Sequence, residues 1–391
     1  MSKHTNGNGR LRNGSTSIGT PAQPRAGSSN GQRARTAIGR PNGLAPSPPN
    51  PGARVLVTGG AGYIGCILTA KLVERGYRVR VLDRLYWGEK PLATVRQQIE
   101  LVAADVRAIP AGALDGIDAV IHLAGLSNDP TAEYDPEANW QMNAIATEKL
   151  GQACAGRGIE RLVFASSCSL YDGLPPGMHD ETAAIRPRAA YATSKRYGEQ
   201  ALLGLIDQGL CPVILRNGTV YGYSPRMRFD LVVNTFVKDA LLREQLLLHG
   251  GGWMWRPLVD VRDVADAMIA AMEAPAELVR GETFNVLHSN YQIRELAMLV
   301  AGSVQLLGRT VRLVDAPAPK LTRDYECSNR KLSERLGFTP RRSVLEAISE
   351  MLAVIDVDDR SMLTDPRYYN IRWLELMHEL QPNVEHFGAL V

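Results

Sequence analysis

Apolar positions along this chain follow two rhythms, and the way they alternate predicts an architecture. Short apolar runs bounded by turn residues, at Arg54–Val57, Arg78–Asp83, Ile99–Ala103, Asp118–Gly125, Arg161–Ser167 and Cys211–Arg216, read as buried strands. Between them, apolar residues three and four apart predict helices over Tyr63–Arg75, about Glu137–Arg157 and Tyr191–Gln208, while Ser127–Asn139 has loop composition. Strand and helix in alternation imply an α/β fold built on a doubly wound parallel sheet. Beyond Gly222 the rhythm loosens. Helices are predicted over Asp230–Leu248, Asp263–Met272, Ile293–Ala301, Val344–Ile355 and about Asn370–Leu380, with strands at Pro257–Val261 and Thr283–Val286. Such short mixed elements cannot build a second sheet of equal size, so they are expected to form a smaller mixed α/β lobe capping the carboxyl edge of the first.

Composition adds a third segment. Residues 1–52 are rich in Gly, Asn, Ser, Pro and Arg, and hold seven of the 44 basic side chains but none of the 41 acidic ones. Too few large apolar residues are present to offset the entropy of ordering, so this reads as a disordered basic extension. The expected division is therefore the extension at 1–52, a dinucleotide-binding domain at 53–222 and a substrate-binding lobe at 223–391. Without the extension, the formal charge of +3 becomes −4, and no nucleic-acid partner is expected. No run approaches the roughly 18 apolar residues of a membrane span, which predicts a cytoplasmic protein with no membrane partner. The five cysteines, Cys66, Cys154, Cys168, Cys211 and Cys327, are scattered and read as reduced thiols, with no metal site indicated.

Candidate chemistry begins at the first turn. Gly59, Gly62 and Gly65 are spaced three apart between a strand and a helix, the pattern that lets backbone N–H groups at a helix N-terminus approach a pyrophosphate. Gly59 is expected to make the tight turn, Gly62 the close approach and Gly65 the helix-to-strand contact. Asp83, about 20 residues on and ending the second strand, is placed to accept from the ribose hydroxyls; Arg84 adjoins it. Asp105 ends the third strand, where it can accept from an adenine amino group or cap the following turn. Leu123, Ala124 and Gly125 close the fourth strand with small backbone. His122 before them is read as a packed strand histidine. Asn143, inside a helix, has little local reason to be there and is expected to bond across the layer.

At the carboxyl edge, Ser166 and Ser167 end the fifth strand, and Tyr191 and Lys195 share one face of the helix that follows. A phenol near a cation can act as a base at neutral pH, taking a proton from an alcohol while its carbon loses a hydride. Ser167 is expected to share that hydroxyl.

Together, Thr58-Gly59-Gly60-Ala61-Gly62-Tyr63-Ile64-Gly65, Asp83, Asp105-Val106, His122-Leu123-Ala124-Gly125, Ser166-Ser167-Cys168-Ser169-Leu170-Tyr171 and Tyr191-Ala192-Thr193-Ser194-Lys195 resemble the extended short-chain dehydrogenase/reductases. Within these the chain is most similar to the nucleotide-sugar epimerase/dehydratase group, typified by UDP-galactose 4-epimerase, over about Arg54–Leu352. The resemblance implies a Rossmann-type sheet, bound NAD, catalysis by Ser167, Tyr191 and Lys195, and cofactor contacts from Tyr63, Ile64, Val106, Asn143 and Ser166 as well as the residues above. It also implies a nucleotide-diphosphate sugar substrate, with Arg256 as the expected diphosphate partner and Arg226, Arg228 and Arg323 as further candidates. Ser127 and Thr219 fall at positions that surround the substrate. Thr219 replaces the family's usual asparagine, and Asp260 stands where histidine is common. Cys168-Ser169 replaces the Asp-Glu pair of the 4,6-dehydratases, and the related decarboxylases also resemble those enzymes in carrying a Glu there. A 4-epimerase is therefore expected, with a sugar dehydrogenase or reductase, a 4,6-dehydratase and a non-catalytic NAD-binding regulator as the rivals. Family members often form homodimers through the two long helices, here 137–157 and 191–208.

Overall fold

Seven parallel strands form the centre of the computed structural model, which describes residues 48–318, 323–356 and 359–387. Residues 1–47 of the expected extension lie outside the described residues. Its last residues are built in rather than disordered: Gly52 donates to the carbonyl of Gly76 at 2.9 Å, and Tyr77 donates to that of Pro49.

The strands are β1 (Arg54–Thr58), β2 (Arg78–Asp83), β3 (Ile99–Ala103), β4 (Ala119–His122), β5 (Arg161–Ser167), β6 (Met178–His179), β7 (Cys211–Asn217), β8 (Thr219–Tyr221), β9 (Gln245–His249), β10 (Trp255–Asp260), β11 (Thr283–Val286), β12 (Ser289–Gln292), β13 (Arg312–Ala316) and β14 (Glu326–Cys327). The helices are α1 (Gly65–Glu74), α2 (Asp129–Tyr134), α3 (Pro136–Trp140), α4 (Ala146–Arg157), α5 (Ala190–Leu203), α6 (Val232–Arg243), α7 (Val261–Glu273), α8 (Ala276–Val279), α9 (Ile293–Gln305), α10 (Arg330–Leu336), α11 (Val344–Val354), α12 (Ser361–Thr364) and α13 (Asn370–Phe387).

The main sheet runs β11-β7-β5-β4-β1-β2-β3. Strand order reverses between β1 and β4, so a crevice opens at their carboxyl ends. Both faces are covered, which explains the continuous apolar runs. Val55 and Val57 face the layer of α1 and α7, whereas Leu56 between them faces α4 and α5. His122 is fully buried, with Thr58 at one ring nitrogen (2.6 Å) and Thr147 at the other (2.9 Å); burial, then the charge of Lys195, pushes its pKa down to about 3. It is the packed strand histidine expected.

Several predictions change. β11 and α7 come from beyond Gly222 yet complete the main sheet and cover one of its faces, so the segment 261–286 crosses the expected boundary at 222/223. The helix predicted over 230–248 stops at Arg243: Glu244 takes a left-handed φ of 52°, and the Leu246-Leu247-Leu248 run becomes β9, parallel to β13. Within 127–139 two short helices form, each started by a side-chain cap, Asn128 on the amide of Thr131 and Asp135 on that of Ala138. The long helix expected over 137–157 is interrupted by a π-turn at Gln141–Ile145. No helix among the described residues is long and apolar enough to cross a membrane.

Beside the main sheet, β8, β10 and β12 form a small mixed sheet. Phe229, Val233 and Val237 pack there with Leu296, Val300, Val344 and Ile348 from α9 and α11.

Candidate active site

The β1–α1 turn is shaped for a close backbone approach. Gly59 has φ +75°, and a β-carbon there would sit 2.7 Å from the amide nitrogen of Ala124. A β-carbon on Gly65 would press into the carbonyl of Gly59, whereas at Gly62 that carbonyl, at 3.2 Å, is the one neighbour within 4 Å among the described residues. No side chain caps the N-terminus of α1. Gly59 makes the turn and Gly65 the close contact with it, and together with Gly62 they leave a cradle that β-carbons would fill and uncapped amides above it.

Asp83 is drawn into this turn, accepting from the amides of Ala61 (2.9 Å) and Leu85 (2.7 Å), while burial raises its pKa. Asp105 caps the following turn through the amide of Arg107, and pairs with Arg107 (2.7 Å) and Arg84 (2.8 Å). Burial works against its charge, but Arg107 and then Arg84 hold its carboxyl below the ordinary value. Arg84 is therefore the partner of Asp105, lying 4.6 Å over the Tyr86 ring.

Three expected cofactor residues also make internal hydrogen bonds. Tyr63 lines the cleft, and its phenol donates to the carbonyl of Gly222 at 2.6 Å. Ser166 lines the cleft, and its hydroxyl donates to Glu199 at 2.6 Å. Asn143, fully buried in the π-turn, donates to the carbonyl of Leu126 (2.8 Å) and to Asn139 (2.7 Å); a β-carbon on Gly125 would collide with its side-chain oxygen. It bonds across the layer as the sequence suggested, and the extra residue of the π-turn is where it stands. Ile64, Val106, Leu123, Ala124 and Gly125 all line the cleft.

Ser167, Tyr191 and Lys195 meet at the other end of the same cleft. Burial pushes the Tyr191 phenol up to about 12, opposed by the charge of Arg228 and by a hydrogen bond from Ser167. Lys195 donates to the carbonyl of Ala165 at 3.0 Å, with its nitrogen 5.8 Å from the centre of the Tyr191 ring. Burial brings its pKa down to about 8, against the opposing charge of Glu199. Arg228 is thus a second cation beside the phenol, which the sequence had not assigned to that task. Beneath Lys195, Glu199 is bound by Arg216 (2.8 Å), Arg196 (3.0 Å) and Ser166.

Of the lobe's candidate arginines, Arg226 and Arg228 are buried, and Arg256 and Arg323 are half-buried. Arg228 grips Asp230 and donates to Ser127 at 2.9 Å. Arg323 lines the cleft in an ion pair with Asp129. Arg226 is 2% exposed and lies 3.9 Å over the ring of Trp87. Arg256 departs from expectation. It does not line the cleft, because its guanidinium donates to the carbonyls of Trp255 and Arg323 beside Tyr325. Thr219 and Ser127 do line it.

Sequence reasoning passed over Trp87, Asn217 and Asn370, which also line the cleft. Asn217 is opposite Ser167 in the β5–β7 register, and its buried side-chain oxygen has no partner. Its place at a strand's carboxyl end was the available signal. Asn370 had none, since its partners Ser127 and Arg226 lie 243 and 144 residues before it.

Among known proteins, the model of the NAD dependent epimerase/dehydratase family matches residues 55–286. A UDP-N-acetyl-alpha-D-glucosaminuronate decarboxylase of Bacillus cytotoxicus is 31% identical over 324 residues, 76% of this chain and 96% of that protein. A solved UDP-glucose 4-epimerase with UDP-glucose, from Thermotoga maritima, superposes with a TM-score of 0.70 at 25% identity, covering 77% of this chain and 97% of its own. MoeE5, solved in complex with UDP-glucuronic acid and NAD, gives 0.69 at 28% identity, covering 79% and 100%.

Proposed function

The chain belongs to the NAD dependent epimerase/dehydratase family, and from that premise we propose that it is a nucleotide-sugar 4-epimerase working on a UDP-sugar or a close analogue. One observation carries the reading. Tyr191 and Ser167 line one end of the cleft together, while the acids that line it among the described residues, Asp83 at the end of β2 and Asp105 just beyond β3, lie elsewhere along the sheet edge. Dehydration needs an acid and a base to move water out of the sugar, and that end supplies no carboxylate for it.

The cradle at Gly59 and Gly62, the uncapped α1 and the acid at Asp83 fit NAD with a free ribose diol. NAD, when bound, supplies a reversible two-electron acceptor for the sugar carbon. The chain's part is to move the proton. Tyr191 takes it from the C4 hydroxyl, the charges of Arg228 and Lys195 favour the phenolate, and Ser167 bonds the oxygen as it becomes a carbonyl. The 4-keto sugar then turns in the pocket, and Tyr191 returns the proton after reduction from the other face. Arg228 and Arg323, partly neutralised by Asp230 and Asp129, are the proposed contacts to the sugar nucleotide's diphosphate. Arg256 is reassigned to holding the backbone at Arg323.

A second reading draws on the decarboxylase relative: if the sugar is a uronate, the same oxidation at C4 creates a β-keto acid that loses CO2. Purified protein incubated with UDP-, TDP- and GDP-sugars, uronates included, and followed by NMR without added cofactor distinguishes them. Interconversion of 4-epimers supports the proposal, release of CO2 supports the second reading, and stoichiometric NADH with a dehydrogenated sugar overturns both. Two copies are further proposed to pair through 137–157 and 191–208, which sedimentation tests.

A further inference from the structure

Of the guanidinium groups that line the cleft, Arg84 faces Asp105, Arg228 faces Asp230 and Arg323 faces Asp129. Arg226 differs: no carboxylate among the described residues forms an ion pair with it. It is 2% exposed, stacks on Trp87, donates to the side-chain oxygen of Asn370 and leaves its Nε without a partner. Burial, with Arg228 nearby, brings its pKa down to about 9, so the site is short of negative charge.

Geometry locates the missing anion. Ser224, two residues before Arg226, donates to the carbonyl of Tyr63 at 2.7 Å and bonds the Cys66 thiol at 3.1 Å, which ties this loop to the β1–α1 turn. Arg226 lines the cleft together with Gly59, Gly62 and Asp83, and its charge also lowers the pKa of Asp83. Arg226 is therefore held beside the glycine turn. Its support is the chain's far end, beyond the family-matched 55–286. Asn370 bonds both Arg226 and Ser127, Trp373 donates to the carbonyl of Tyr86, and Leu374 packs on Leu126 and Met142.

Resting on the epimerase reading above, we propose that Arg226 clamps the dinucleotide's diphosphate from the side opposite the α1 N-terminus, and that α13 is a strap keeping this clamp closed through turnover. A diphosphate between a guanidinium fork and uncapped helix amides has donors on both sides. An epimerase gains from such a strap because its cofactor is restored in every cycle and has no need to leave.

The test titrates NAD, ADP, adenosine and UDP separately into NAD-free protein by calorimetry, for the wild type, Arg226→Met, Arg226→Lys and Asn370→Asp. Arg226→Met is expected to weaken NAD and ADP at least about tenfold, to leave adenosine and UDP within about twofold, and to speed NAD release when exchange is followed by stopped flow. Arg226→Lys should be intermediate, since an ammonium keeps the charge and loses the fork. Asn370→Asp adds a competing carboxylate and should also weaken NAD. If all three variants bind NAD within twofold of wild type, or if UDP affinity falls while NAD affinity holds, the clamp is overturned. A wild-type protein that binds UDP but not NAD would instead remove the epimerase reading itself. Arg226→Lys and Asn370→Asp conserve size, so the test survives a failure of Arg226→Met to fold.

Discussion

Gly59 and Ala124 touch across the crevice where the sheet reverses: a β-carbon on Gly59 would stand 2.7 Å from the amide nitrogen of Ala124. The φ of +75° at Gly59 already disfavours any side chain. Gly59→Ala is therefore expected to cost at least about 1 kcal/mol of stability. It should also weaken NAD by more than tenfold, because β1 and β4 must separate at the point where the dinucleotide would lie. Urea melts and NAD titration measure the two effects, and NAD affinity equal to wild type would remove the cradle from the cofactor's path.

Tyr191→Phe deletes the proton acceptor and little else. Turnover of the best nucleotide sugar should fall by about 10²- to 10⁴-fold, with NAD affinity within a few-fold of wild type. Single-turnover assays make the comparison, and unchanged kcat would end the assignment.

Lys195 couples the site to pH. Burial holds its pKa at about 8, below its ordinary 10.5. Above the unfolded value the side chain is neutral in both states and the fold is spared the cost of a buried charge. As pH falls through about 8 the folded state takes up the proton and that stability is lost. Lys195→Met removes the titration, so in NAD-free protein its melting temperature should gain on wild type between pH 10 and pH 7. A difference that does not vary with pH would contradict the buried ammonium.

Glu199 carries Arg216, Arg196 and Ser166 on one fully buried carboxylate. Glu199→Ala leaves Arg216 charged and unpaired in the interior, at a cost of about 3–5 kcal/mol. Chemical denaturation reads this directly, and a loss below about 1 kcal/mol would mean that water reaches the pair.

The parts of the fold that could be read from sequence are those where one local signal decides the outcome. Runs such as Val55-Leu56-Val57 are apolar at every position because both faces are covered, and the three glycines are needed where backbone meets backbone. Asn143 was noticed because polar residues inside helices have poor local reasons to be there. What escaped depended on distant partners. Leu246-Leu247-Leu248 suits a helix or a strand until β13 supplies its neighbour. Arg256 and Arg226 look alike in sequence, and their different fates were set by the carbonyls at 255 and 323 and by Trp87 and Asn370.

β11 joins the open side of β7 only after the chain has travelled through much of the lobe. During synthesis, a nascent chain that has reached Gly222 therefore exposes the unpaired outer edge of β7 for another 60 or so residues. That interval is when the newborn polypeptide is most open to mispairing with its neighbours on the same polysome, and most in need of a chaperone.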